Sequence, residues 1–324
     1  MGDEEHAHRE GVGWAHEEEE AAPEARFWDA VVVGSGVVGL WSALYLARKG
    51  ASVLMLERAS GPDGSSTGNA GLLVPSRCKP LPGPGRIREG ISGLFAAPGR
   101  PFRISPGLDP DLWGWLLRFA LSCRRGKFRE SADLLVRMSQ KSMELMEKEL
   151  GSRQDPPFSS EGVLYPYFQR KSWIGAVHLA REAKVPGSEA SVLSARQAKE
   201  AEPALGPGVW GAILREGERQ VEPEEVLAGL QRAASRAGVR TRSGTRAYAL
   251  DPATGSGVKR VMTTRGPIRA ERVLLAAGCG TRELLQSLGL WLPLRSGTGW
   301  SITFPGCESA PSQGLLLEEE RVAV

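Results

Sequence analysis

The spacing of apolar positions along the chain changes several times, and each change marks an element. Asp29–Gly34 is a short run of β-branched residues ending in glycine, as expected for a strand buried on both faces of a parallel sheet. From Val37 to Lys49 the apolar residues Leu40, Ala43, Leu44 and Ala47 recur at helical spacing, and Gly50 ends the run. Ala51–Leu56 then reads as a second buried strand. Further along, residues 108–119 and 131–150 have the period of two amphipathic helices, and residues 162–167 and 208–214 read as strands. A helix is expected from about Val221 to Arg236, with Val226, Leu227 and Leu230 on one face and glutamates in its first turn. Residues 239–242 and 272–278 are further strands, the latter turning into a helix over 282–288. Residues 1–26 carry charge without apolar period and are expected to form a disordered tail.

The turn between the first strand and helix is Gly34-Ser35-Gly36-Val37-Val38-Gly39. Each glycine has a task. Gly34 makes a tight turn, Gly36 lets the backbone approach a pyrophosphate, and Gly39 lets helix and strand pack closely. The phosphates would sit on the free N–H groups of the helix N-terminus. At the end of the second strand Glu57 stands where an acid accepts hydrogen bonds from a ribose 2′-hydroxyl and repels a 2′-phosphate, which disfavours NADP. Strand, turn, helix, second strand and acid together imply a dinucleotide-binding fold, and leave open whether the dinucleotide is FAD or NAD.

Composition removes other classes. Lys+Arg number 41 against 38 Asp+Glu, a net charge of +3 without a strongly basic block, which gives a nucleic-acid partner little support. Cys78, Cys123, Cys279 and Cys307 lack ligand spacing, so neither a disulfide framework nor a zinc site is expected. Three of the 4 histidines (His6, His8, His16) fall in the tail, and only His178 lies in the folded part, so Ser-His-Asp hydrolysis and the His-acid pairs of many nicotinamide dehydrogenases lack their base. No metal site is expected. No run of 18 apolar residues occurs, so no transmembrane helix is expected. The segment Trp113 to Arg125 mixes Trp, Leu, Phe and Arg; packing inside the protein is the expectation, with peripheral contact at a membrane surface as the alternative.

The stretch Gly61–Pro75, rich in glycine and small hydroxyl residues, follows Glu57-Arg58. Its hydroxyls and N–H groups suit phosphate oxygens, Asn69 suits a flavin or its ribityl chain, and Ala70-Gly71 let backbone pass close to a flat ring. Here the sequence resembles the FAD-dependent oxidoreductases of the D-amino acid oxidase superfamily, and more narrowly the bacterial D-amino acid dehydrogenases, including those acting on D-hydroxyproline. Ser66, Thr67, Asn69, Ala70, Gly71 and Leu72 match the family segment along the pyrophosphate, ribityl chain and flavin, with Pro75-Ser76 closing the match. The Ala277-Gly278 turn matches the segment approaching FAD from the other side, and residues 297–304 match a further strand of the family.

The resemblance implies an α/β protein: a Rossmann-like FAD-binding domain with an inserted substrate-binding domain of antiparallel sheet plus helices. The expected boundaries are 27–80 and 215–290 for the FAD-binding domain, and 81–214 and 291–324 for the substrate domain, with the family's last segment absent. Cofactor-binding residues are expected to be Gly34, Ser35, Gly36, Val37, Val38, Gly39, Glu57, Arg58, Ser66, Thr67, Asn69, Ala70, Gly71, Leu72, Ala277 and Gly278. The implied function is oxidation of the CH–NH bond of a D-amino acid, D-alanine- or D-proline/hydroxyproline-like, with hydride passing to flavin. A catalytically silent nucleotide-binding fragment and a glycine/sarcosine-type oxidase are the alternatives. The implied partners are the amino acid and an electron acceptor, quinone or oxygen. The implied location is the cytoplasm, with a peripheral position on the inner face of the cytoplasmic membrane as the alternative. An arginine should hold the substrate carboxylate. No catalytic residue and no such arginine is assigned from sequence.

Overall fold

The computed structural model describes residues 27–61, 64–87, 109–151, 158, 162–182, 189–252, 259–304, 307 and 310–324. The expected tail over residues 1–26 lies outside the described residues. The chain divides into two compact units, Met1–Asn69 with Glu224–Ser296, and Ala70–Pro223 with Gly297–Val324.

Strand β1 (Phe27–Val33), helix α1 (Val37–Arg48) and strand β2 (Val53–Leu56) open the first unit. The second unit follows with β3 (Leu72–Leu73), α2 (Pro110–Ser122), α3 (Arg125–Leu150), β4 (Val163–Tyr167), α4 (Arg170–Glu182) and β5 (Ala190–Ser194). It continues through α5 (Ala195–Ala201), β6 (Gly211–Arg215) and β7 (Arg219–Gln220). Helix α6 (Pro223–Arg236) leads back to the first unit, which β8 (Arg240–Arg242), β9 (Ala247–Asp251), β10 (Lys259–Thr263), β11 (Gly266–Leu275) and α7 (Thr281–Gln286) complete. The last strands, β12 (Gly314–Leu317) and β13 (Val322–Ala323), belong to the second unit.

In the first unit six strands lie in the order β8-β2-β1-β11-β10-β9. The neighbours β8, β2, β1 and β11 are parallel, while β11, β10 and β9 form an antiparallel meander. Burial of β1 and β2 on both faces explains their unbroken apolar runs: Val31, Val32, Leu54 and Met55 are essentially inaccessible to solvent. Helix α1 buries Leu40, Ala43 and Leu44, and α6 buries Val226, Leu227 and Leu230, residues whose helical spacing marked both segments, together with Ala233 and Ala234. At the start of β1 the Asp29 carboxylate accepts hydrogen bonds from the Ser52 N–H and hydroxyl, which hold its pKa below the ordinary value. Strand β11 begins well before the apolar run that announced it, because β10 pairs along its first half, Lys259 against Ala270 through Thr263 against Gly266.

The second unit is built on a five-stranded sheet, β13-β12-β4-β6-β5. It is antiparallel as expected except for one parallel pair, β12 with β4. Side chains of β4 alternate between two apolar clusters. Leu164 packs with Ala198, Leu205, Ala212 and Leu315 on one face, while Val163, Tyr165 and Tyr167 pack with Ile213, Leu72 and Trp173 on the other. Both faces are covered, so β4 is buried along its whole length. The fully buried Glu202 is satisfied by the Ala204 N–H and by the N–H and hydroxyl of Ser312. It thereby ties the end of α5 to the segment entering β12.

The strand expected over residues 297–304 does not form. Trp300, Ile302 and Phe304 are 96%, 76% and 74% exposed, and no helix or strand occurs between residues 290 and 304. Alternation supplies an apolar face, but a strand exists only where a neighbour takes up its N–H and C=O groups. Among the described residues none pairs with this segment.

Candidate functional site: the dinucleotide turn and a polar cavity

Strands β1, β2 and β11 are parallel, so the turns that leave them share one edge of the first sheet. Helix α1 and β2 lie to one side of β1 and β11 to the other, which makes the β1/β11 boundary the point where an open α/β sheet receives a ligand. At that point the chain is drawn tight. Gly34 has φ +107°, its N–H donates to the Leu56 carbonyl at 2.8 Å, and the Ala276 N–H donates to the Val33 carbonyl at 2.8 Å. A Cβ on Gly34 would lie 2.4 Å from the Ala276 oxygen, and one on Gly39 would lie 1.9 Å from the Gly34 oxygen. Only glycine fits at either position.

Glu57 closes the turn. One carboxylate oxygen accepts the Ser35 N–H at 2.9 Å and the Ser35 hydroxyl at 2.7 Å, while the other accepts the Ala59 N–H at 3.1 Å. The Ser66 hydroxyl accepts the Val37 N–H at 3.2 Å, bringing the following loop onto the N-terminus of α1, whose first turn has no acidic residue. That loop folds on itself: the Thr67 hydroxyl donates to the Gly64 carbonyl, and the Asn69 amide nitrogen donates to the carbonyls of Ser65 and Ser66.

Of the residues singled out from sequence, Gly34 through Gly39, Glu57, Arg58, Ser66, Thr67, Asn69, Ala277 and Gly278 fall in the first unit. Arg58 and Val38 are exposed, as is Gly278, with φ +54°. Ala70, Gly71 and Leu72 fall in the second unit, where Leu72 pairs with Gln220 in the β3–β7 ladder. Gly71 has φ +65°, and its carbonyl accepts the Val221 N–H at 2.9 Å. The glycine turn, the N–H groups at the start of α1 and the Glu57 carboxylate match the chemistry of a dinucleotide: amide donors for phosphate oxygens and an acceptor for a ribose hydroxyl. The residues present fit the group.

The second unit holds a feature that the sequence did not disclose. Between α4, the three-residue helical turn Pro75–Arg77 and strands β4 and β6 is a cavity of about 430 Å³. Arg77 lies on its wall, ion-paired to Glu318, with its guanidinium carbon 4.9 Å from the centroid of the Tyr165 ring. Burial opposes its charge, but Glu318 and the two tyrosines more than offset this, and the pKa rises above the ordinary arginine value. The Tyr165 hydroxyl donates to Glu218, whose other oxygen accepts the Ser76 N–H at 3.1 Å; the Tyr167 hydroxyl donates to Glu318 at 2.6 Å. Burial, then the adjoining glutamate, pushes each tyrosine hydroxyl well above its ordinary pKa. A polar tyrosine pair at alternate positions of a buried strand was the one signal in the sequence. Its partners were out of reach, since Ser76 and Glu218 lie 142 residues apart.

Fold and turn together define a dinucleotide-binding α/β protein. The family model described as FAD dependent oxidoreductase matches residues 29–320, and the chain belongs to that family of FAD-dependent enzymes. It is 30% identical over 303 residues to a D-amino acid dehydrogenase of Rhizorhabdus wittichii, covering 91% of this chain and 72% of that protein. It is 32% identical to D-amino acid dehydrogenase 2 of Ralstonia nicotianae, covering 86% and 68%. Among solved structures it resembles glycine oxidase from Geobacillus kaustophilus, with a TM-score of 0.54 and 22% identity over 82% of this chain and 59% of that one. It also resembles L-amino acid deaminase from Proteus myxofaciens, with a TM-score of 0.55 and 18% identity over 85% of this chain and 50% of that one. Among the described residues no helix is long and apolar enough to cross a membrane.

Proposed function

We propose that the protein oxidises the CH–NH bond of a small D-amino acid, of the D-alanine or D-proline/hydroxyproline type, to the imine. An acyclic imine then hydrolyses in water to the keto acid and ammonia, and a cyclic one remains as the ring. The observation that carries this reading is the set of relatives named D-amino acid dehydrogenase that match about nine-tenths of the chain. Bound FAD supplies the hydride acceptor. The protein's part is to bind and orient. The N–H groups at the start of α1 would hold the pyrophosphate and Glu57 a ribose hydroxyl, with Ser66, Thr67 and Asn69 as further polar partners of the cofactor. Ala277 and Gly278, which follow β11, would supply close backbone approach to the cofactor. The electron acceptor is a quinone of the respiratory chain or oxygen, and the enzyme works in the cytoplasm, with peripheral contact at the membrane as the alternative.

The test is spectroscopic. The purified protein is expected to be yellow, or to become so on reconstitution with FAD, and to bleach anaerobically with D-alanine or D-proline. Peroxide release against reduction of a dye acceptor then separates oxidase from dehydrogenase. A protein that gains no flavin, or one bleached by glycine or sarcosine and not by D-amino acids, sinks the reading.

A further inference from the structure

We propose that helix α2 and the turn joining it to α3 dock on the anionic headgroups of a lipid bilayer. The inference goes beyond the oxidation reading and does not depend on it, since lipid binding is measured without turnover.

The sequence leads to the expectation that residues 113–125 pack inside the protein, and only one face of α2 meets it. Trp115 stacks on Phe119 with ring centroids 5.3 Å apart, and both are half-buried. The other face carries Trp113, Leu117 and Leu121 on successive turns, 48%, 63% and 54% exposed, and no residue of α2 is fully buried. A row of aromatic and leucine side chains on a helix surface is the face that a bilayer takes up at the boundary between headgroups and acyl chains.

Charge identifies the occupant. Arg118, Arg124, Arg125, Lys127 and Arg129 are all exposed, and no acid occurs between Asp111 and Glu130. Arg118 borders the apolar row, and Arg124 and Arg125 follow the end of α2, just past Leu121. Arg125 and Lys127 open α3, whose first turn has no acid and whose N-cap, Arg124, makes no side-chain hydrogen bond. Cations at that end oppose the helix dipole, whereas a lipid phosphate there is favoured by the dipole and the side chains together. The basic turn also has a fixed support: Phe128 packs close on Gly83, and Glu147 pairs with Arg219 at 3.5 Å. An apolar row beside a cluster of one sign suits an anionic surface, while a second copy of this chain would bring like charges together. Trp300, Ile302 and Phe304 are also exposed, but residues 296–304 carry no charge.

The test is cosedimentation of the purified full chain with vesicles of phosphatidylcholine alone and of phosphatidylcholine with phosphatidylglycerol. Binding is expected to need phosphatidylglycerol and to fall as salt rises. Leu117→Glu, and Arg124→Glu combined with Arg125→Glu, should each lower the partition coefficient at least about tenfold, while Trp300→Glu leaves it unchanged. The arginine changes put acids at the start of α3, where they favour the helix, so binding lost there is not fold lost. Lipid brominated in its acyl chains gives a second readout: it should quench tryptophan fluorescence, and Trp113→Phe should remove part of that quenching. Binding that is absent, indifferent to phosphatidylglycerol, unchanged in Leu117→Glu or carried by Trp300 overturns the assignment. A dimer in lipid-free sedimentation velocity that Leu117→Glu splits does the same, because the row then belongs to a second copy. A colourless protein whose vesicle binding still depends on Leu117 and Arg124 sinks the oxidation reading and keeps this one.

Discussion

The Glu57 carboxylate holds Ser35 by two hydrogen bonds, 2.9 Å from the backbone nitrogen and 2.7 Å from the hydroxyl, so the acid expected to meet a ribose also fastens the glycine turn. Its two roles are separable. Glu57→Gln keeps the shape and loses the charge, and Glu57→Ala leaves the Ser35 N–H unsatisfied. Stability is expected to fall by about 1 kcal/mol for Gln and up to about 3 kcal/mol for Ala. FAD affinity should fall further in both, as measured by denaturant unfolding of the apoprotein beside flavin-fluorescence titration. Unchanged FAD affinity in Glu57→Ala would remove Glu57 from the site.

Two glycines at opposite ends of α1 respond differently to one methyl group. Gly39→Ala drives a Cβ to 1.9 Å from the Gly34 carbonyl, so strand and helix must separate; we expect a loss of about 3 kcal/mol or more and no retained flavin. Gly50→Ala meets nothing within 4 Å and is strained only through its φ of +87°, a cost of about 1 kcal/mol with FAD content unchanged. Melting temperature and the absorbance ratio of flavin to protein report both.

Alkali should expose Tyr165. Burial and then Glu218 raise its pKa above the ordinary value of 10.0, so the unfolded chain loses the proton first. Below pH 10 the hydroxyl is neutral in both states and its contribution is complete. Above pH 10 ionisation favours the unfolded state, and stability falls with rising pH by at most about 1.4 kcal/mol per unit for this group. Tyr165→Phe should be less stable at neutral pH and show a shallower alkaline decline in urea unfolding. Equal slopes for the two proteins would refute the linkage.

Trp300 offers the contrasting case. It is 96% exposed in a segment that joins no sheet, so Trp300→Ser is expected to change unfolding free energy by no more than about 0.5 kcal/mol. A larger loss would mean that the residue is covered in solution.

The β1–α1–β2 unit was legible in the sequence because each of its signals is local. A strand buried on both faces must be apolar throughout, a helix leaning on it must repeat at its own period, and the turn between them admits only glycine where backbone meets backbone. The strand that the resemblance implied over residues 297–304 does not form, because a strand also needs a partner that no local signal supplies. The same limit hid the cavity of the second unit. Arg77 sits just beyond the loop that drew attention, but its meaning depends on Glu318, Tyr165 and Tyr167, which the five-stranded sheet gathers from distant parts of the chain. The sequence by itself determined which dinucleotide turn the protein carries. The tertiary structure alone decided that Glu57 clasps Ser35 and that an arginine and a glutamate face one cavity, because hydrogen bonds and ion pairs act over a few ångströms in space, whatever the separation along the chain.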